Sequence, residues 1–393
     1  MSAPLGLEDA QARLLALAPA LPAETIPAGD ALGRVLAEDL HAARTQPAAD
    51  LSAMDGFALA PGAGPWRLAG ESRAGAPYPA ALAPGEAVRI STGAIVPAGA
   101  DRVLLQEDAL REGDAVTATE LPPPGRHIRA RGFDFHAEDL LLAKGTRLTP
   151  ARLALALAGG HGALRVTRRV RVAVMDSGDE LAGDPAACAP HQIPASNAAM
   201  IAAMLAPLGC EVTRIGPVPD DGEALAAALA GAEGADILVT SGGASVGDHD
   251  LIKPTLADWG AEIAFWKIAI KPGKPLLVAT RGNQVILGLP GNPVSSFVTA
   301  FLFALPLVRA AQGDPDPLPR PVTLRTGEPL PAVGPRREFL RAVSEGDTVR
   351  LAGSQDSSAL SALAAADCLI DRPAGAPAVA QGEPVRVFRL QNG

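Results

Sequence analysis

The sequence predicts a multidomain α/β protein whose centre is a mostly parallel sheet covered by helices on both faces. Three observations predict it. At 393 residues the chain exceeds what one ordinary hydrophobic core supports. From residue 169 to about residue 315, strand-like and helix-like runs alternate, the pattern of βαβ crossovers. Before and after that stretch, short strand-like runs sit between Pro- and Gly-rich breaks.

Taken in order, LEDAQARLLALA carries apolar residues at helical spacing, and a second amphipathic run over residues 29–40 predicts another helix. TQPAADLSAMDGFALAPGAG breaks the pattern, after which EAVRIS, RVLLQED and AVTATELP read as strands of a small β-rich unit ending near residue 138. Residues 140–164 return to helix, with LTPARLALALAGG closing on a Gly pair suited to a helix stop. RVRVAVM, CEVTRIGPV, ADILVTSGG, IAFWKIAI and QVILGLPG are the strands of the central sheet. SNAAMIAAMLAPLG, DDGEALAAALAGAEG, DHDLIKPTLADWG and the long PVSSFVTAFLFALPLVRAAQG are its helices. GDPDPLPRP (313–321) is a linker, and the remainder reads as short strands of a small barrel or sandwich.

Composition narrows the function. Hydrophobic residues at 48% and charged residues at 20% describe a packed globular chain. The net charge of −9, with no basic block, argues against nucleic acid as the main partner. The N-terminus lacks the basic start and apolar core of a signal peptide, and the apolar stretch 297–308 is too short to span a bilayer. No membrane association is expected, and a cytoplasmic location is. The isolated Cys188, Cys210 and Cys368 form no CxxC pair, so reduced cysteines are expected and zinc or iron–sulfur sites are not.

In an open parallel sheet, ligands bind beyond the carboxyl ends of the strands. Three loops fall there: DSGDE (176–180), TSGGASVGDHD (240–250) and GLPGNPVSS (288–296). In the second, Ser241, Gly242, Gly243, Ser245 and Gly247 are small, so backbone N–H groups can face an anion. It matches neither a Walker loop nor GxGxxG, and its end, with Asp248 and Asp250, points to a divalent metal. In the third, Asn292 can cap the following helix and Pro293 fits its first turn. Lysine is rare: Lys144, Lys253, Lys267, Lys271 and Lys274 are five of 34 basic residues, and the last four fall within 22 residues free of Arg. Compact cations placed so closely, two of them flanking the turn KPGKP, fit an anionic substrate. Carboxylates in tight turns recur at Asp55, Asp134, Asp179, Glu180, Asp221 and Asp250, and with the lysines they describe an anion handled through Mg²⁺.

SAMDGFA, STGAIVPAGADRVLLQED, SGDEL, TSGGASVGDHD, KIAIKPGKP and LPGNPVSS occur in an order and spacing that resemble the molybdopterin molybdenumtransferase family, which includes the E domain of gephyrin. The resemblance covers about residues 10–390. It implies an elongated homodimer with a helical linker domain (1–44 and 139–168), a β-rich domain (45–138), an α/β molybdopterin-binding domain (169–315) and a C-terminal β-barrel (316–393). It also implies the reaction: adenylyl-molybdopterin and molybdate give molybdenum cofactor and AMP, with Mg²⁺. The site would lie between the α/β domain of one subunit and the β-rich domain of the other. Transient contact with a molybdopterin adenylyltransferase and with molybdoenzyme chaperones is implied too.

By motif position, the resemblance makes Asp55, Thr92, Asp134, Glu180, Lys271 and Lys274 catalytic. Ser241, Gly242, Gly243, Ser245, Lys267, Pro290, Pro293, Arg337 and Ser357 become cofactor-binding, and Asp221 and Asp250 metal ligands. Within that set Lys271, Lys274, Arg337 and Ser357 are expected to hold molybdate. Four departures stand out: Ser177 where the family has Thr, Ala195 where it has Asp, Phe133 and Phe135 around Asp134, and Asp356 in place of Gly beside Ser357. An inward-pointing Asp356 would weaken an oxyanion. Three other readings stay open: a molybdopterin adenylyltransferase needing only the α/β part, a non-catalytic scaffold, and a metal-dependent phosphohydrolase.

Overall fold

The computed structural model describes residues 4–242 and 251–390. Its centre is a six-stranded sheet in the spatial order Glu211–Val218, Arg171–Ser177, Ile237–Ser241, Gln284–Leu289, Leu277–Arg281, Glu262–Trp266. The first four strands are parallel, and Leu277–Arg281 runs antiparallel to both of its neighbours. Side chains alternate along each strand, so one face receives Val172, Val174 and Val239 and the other Ala173, Met175 and Leu238. The helices Asn197–Leu205 and Pro293–Ala311 cover the first face, and Gly222–Gly231 and Ile252–Asp258 the second. The protein is therefore a multidomain α/β protein with a three-layer centre.

Several local expectations are corrected. The strand Leu277–Arg281, absent from the sequence reading, forms a hairpin with Gln284–Leu289 and makes that edge antiparallel. IAFWKIAI is broken, because Lys267 adopts a positive φ of 71° between Glu262–Trp266 and Ile270–Lys271. Residues 29–40 form no α-helix. Their apolar side chains Ala31, Leu36 and Leu40 are buried, but the backbone bonds outward, Gly33 N–H to the Leu148 carbonyl and Leu36 N–H to that of Thr146. Within 140–164 only Pro150–Ala158 is helical, started by Thr149, whose hydroxyl accepts from Arg152 N–H. The long helix Pro293–Ala311 contains a π-helical stretch, Ala300–Ala304, and 83% of its most apolar window is buried, so its apolarity serves the core.

The first helix, Leu7–Leu15, inserts Leu7, Ala10 and Leu14 into the core of the central body rather than packing with its sequence neighbours. The antiparallel pair Ala23–Pro27 and Ala163–Thr167 joins the two flanking segments of the chain. A mixed six-stranded sheet runs from Gly56 to Ala118. After residue 321, five strands close into a barrel, because Arg337–Glu345 pairs with both Thr348–Leu351 and Cys368–Arg372. The short strand Ile270–Lys271 adds in parallel to this barrel at Arg337 and Glu338, which ties the KPGKP turn to it.

Candidate functional site: two joined cavities

The chain leaves the strand Arg171–Ser177 in one direction and returns across it to Ile237–Ser241, so a crevice opens at their carboxyl ends. A cleft of about 730 Å³ fills it. All three expected loops contribute: Asp176, Ser177, Gly178 and Glu180 from the first, Gly242 from the second, and Pro290 to Pro293 from the third. Gly242 has φ 102°, and a Cβ there would sit 2.3 Å from the Ser177 carbonyl oxygen, so this close approach of two loops requires glycine. Gly243, Ser245 and Asp250 lie outside the described residues.

A second cavity of about 350 Å³ adjoins the first, with Pro275 lining both. It holds Lys271, Lys274, Arg336, Glu338, Asp356 and Ser357. The strand pairing explains its contents, since Ile270–Lys271 lies beside Arg337–Glu338 and Lys271 Nζ reaches Glu338 Oε1 at 3.0 Å. Asn292 does not cap its helix. Its amide instead donates to Ser357 Oγ at 3.0 Å, and Val294 N–H donates to the Ser357 carbonyl at 3.2 Å, docking the Ser357 loop on the helix start.

Arg337 is a correction. Its guanidinium makes a bidentate pair with the fully buried Asp371 and also meets Glu8, so it points away from the cavity. Arg336 lines the cavity instead, as alternation along a strand dictates for the neighbouring residue. Asp356 turns its carboxylate onto Ser358, accepting from N–H at 2.9 Å and Oγ at 2.6 Å, which holds its pKa below the ordinary carboxylate range. The Asp356 backbone and that of Ser354 accept from the buried Arg341, which shapes the loop.

Other expected residues lie elsewhere. Asp55 accepts from Thr92 N–H at 2.6 Å and Thr92 Oγ1 at 3.0 Å, bonds that lower its pKa, but this pair sits on the 56–118 sheet and lines neither cavity. Asp134 is exposed in a turn bound to Gln46. Lys267 packs its ammonium 3.8 Å from the centroid of Trp266, beside Lys253 at 3.3 Å. Ser241 is buried and accepts from Asn197 at 2.9 Å. The Asp221 carboxylate caps the helix Gly222–Gly231 through Ala224 N–H, whereas Asp220 lines the larger cleft. Among the described residues, no three His, Cys, Asp or Glu side chains converge as a metal cluster.

Asp176 is the residue that sequence reading missed. It is 3% exposed, one oxygen accepts from Ala198 N–H at 2.9 Å, and the other has no partner among the described residues. Burial raises its pKa above the ordinary value, partly offset by that bond. A raised folded pKa means that ionisation opposes folding, by nothing below the unfolded pKa and by a growing amount as pH rises through the interval between the two. Asp176→Asn is therefore expected to stabilise the protein at neutral pH by about 1 kcal/mol. Thermal unfolding at pH 7 and near pH 3.5 checks this: the gain should vanish at the lower pH.

Fold and site together define an α/β protein with two adjoining cavities at the switch point of its sheet, the smaller of them lined by lysine and arginine. Residues 5–160 match the MoeA N-terminal region (domain I and II), 173–310 a probable molybdopterin binding domain, and 323–390 the MoeA C-terminal region (domain IV). The molybdopterin molybdenumtransferase of Haemophilus influenzae is 34% identical, with 98% of each chain covered. Molybdopterin molybdenumtransferase 2 of Mycobacterium tuberculosis is 36% identical over 93% of this chain and 95% of that one. The crystal structure of the molybdopterin biosynthesis MoeA protein from Pyrococcus horikosii superposes with a TM-score of 0.83 at 30% identity, covering 99% of both chains. The chain belongs to the molybdopterin molybdenumtransferase family, and is a transferase of molybdenum cofactor biosynthesis.

Proposed function

We propose that this chain transfers molybdenum from molybdate to the dithiolene of adenylylated molybdopterin, releasing AMP in the presence of Mg²⁺. The observation that carries this reading is the pairing of two adjoining cavities of opposite character. The smaller one gathers Lys271, Lys274 and Arg336 with the Ser357 hydroxyl, donors suited to a tetrahedral oxyanion. The larger one, about 730 Å³ with Leu181, Ile193, Pro194 and Leu360 among its walls, has room for the pterin and the adenylate. The substrate's own sulfurs act as ligands to molybdenum, so the protein needs no covalent nucleophile and contributes positioning and charge.

Mg²⁺ commonly binds through one or two carboxylates and substrate phosphates, and Glu180 and Asp220, which line the cleft, fit that partial role. Asp221 already caps a helix, which leaves it at most one free oxygen for the ion. When bound, Mg²⁺ would neutralise charge on the diphosphate. The purified chain given adenylylated pterin, molybdate and Mg²⁺ is expected to release AMP only when molybdate is present. Equal release without molybdate would identify a phosphohydrolase, and no release would end this reading.

The four-domain division, a cytoplasmic location and a homodimer belong to the same proposal. Asp55, Thr92 and Asp134 line neither cavity of their own chain, which supports their use by a second copy. Mixing Asp55→Ala with Lys274→Ala subunits should then restore about a quarter of wild-type activity, because one site in each mixed dimer is intact. Activity in the mixture no greater than that of the separate variants counts against shared sites.

A further inference from the structure

The floor of the larger cleft has a definite polarity. Asp176 lies one residue before the end of its strand there, with Oδ2 on Ala198 N–H and Oδ1 buried without a partner among the described residues. Leaving such an oxygen unmet costs about 1–3 kcal/mol, a cost that a bound donor removes. Beside it, Ser177 Oγ is likewise buried and has no partner among the described residues. Asn197 spends its amide N–H groups on Ser241 Oγ at 2.9 Å and the Gly291 carbonyl at 2.7 Å, so only its oxygen is left for the cavity. No lysine or arginine lines this cleft among the described residues. A phosphate or oxyanion is therefore a poor match for this floor, and the N–H-bearing edge of a planar heterocycle is a good one. Leu181, Ile193, Pro194 and Leu360 provide apolar walls for the ring faces.

We propose that Asp176 is the specificity-determining residue of the cleft: its unpaired oxygen accepts an N–H from the 2-amino-4-oxo edge of the pterin, seating that end on the sheet and turning the sulfurs toward the Lys271–Lys274 turn. The inference rests on the substrate named above and adds its orientation and the residue that reads it.

The test is a titration of the full chain with a plain 2-amino-4-oxopteridine and with its 2-desamino analogue, followed by ligand fluorescence. Wild type is expected to prefer the amino compound by at least about tenfold. Asp176→Asn, which replaces the oxygen with an amide donor, should lose that preference. Asp176→Ser, which removes the carboxyl, should lose it as well. A merely structural role for Asp176 would weaken both ligands alike and leave the preference standing. Undiminished discrimination in either folded variant overturns the role of Asp176 alone, whereas a wild type that binds neither pteridine overturns the reading of the cleft and this inference with it.

Discussion

If the proposed function holds, Lys274→Ala is expected to raise the molybdate concentration for half-maximal turnover by about ten- to a hundredfold, while the thermal midpoint moves little. The magnitude follows from losing one charge-assisted contact to an oxyanion, worth about 1.5–3 kcal/mol. The fold is spared because Lys274 is exposed at the cavity, and the bonds that hold its turn come from its backbone carbonyl, which accepts from Ile268 N–H at 3.0 Å and Leu276 N–H at 3.2 Å. Arg336→Ala should behave in the same way. Arg337→Ala should instead lower stability without changing the molybdate dependence, because it strips the buried Asp371 of its bidentate partner. Steady-state kinetics at varied molybdate, run beside thermal melts, separates the two classes. An unchanged molybdate dependence in Lys274→Ala removes that residue from the oxyanion site.

Gly56→Ala is expected to cost more than about 3 kcal/mol, the range of severe backbone and packing errors. Gly56 lies on a strand paired on both sides, with Ile90 and with Leu105. A Cβ there would stand 1.9 Å from the Leu104 carbonyl oxygen, so the ladder itself must give way. Asp55 and its bonds to Thr92 precede this glycine directly, and turnover should fall with stability. Denaturant unfolding is the measurement, and a loss under 1 kcal/mol would show that the two strands separate easily.

The central body was legible because its signals are local. Valines and alanines alternate toward two helical layers, and each of the four parallel strands leads on to a helix. The hairpin strand Leu277–Arg281 was hidden because it directly follows KPGKP and only a two-residue turn separates it from the next strand. Residues 29–40 show the opposite failure. Their helical spacing of apolar residues is real, but burial is reached through a left-handed Gly33 and bonds to distant carbonyls, which no local pattern reveals. In the candidate site, the sequence order alone places the DSGDE and GLPGNPVSS loops at one sheet edge, and both line the larger cleft. Motif position singles out Arg337, whereas Arg336 lines the smaller cavity, because motif position does not say which way a residue faces. Asp176 was missed because DSGDE reads as a loop, although the first acid still continues a strand whose alternation aims it at the cleft.

The helix Leu7–Leu15 carries a consequence for biosynthesis. Gln11 donates to the Leu302 carbonyl, 291 residues later, and Leu7 and Leu14 pack in the same core as Val298 and Phe301. On the ribosome this helix is expected to wait with its greasy side uncovered until some three hundred residues have emerged, since the helix that receives it, Pro293–Ala311, is made only then. Bulky fusions placed close before it would compete for that delayed docking and would hinder maturation more than the finished enzyme.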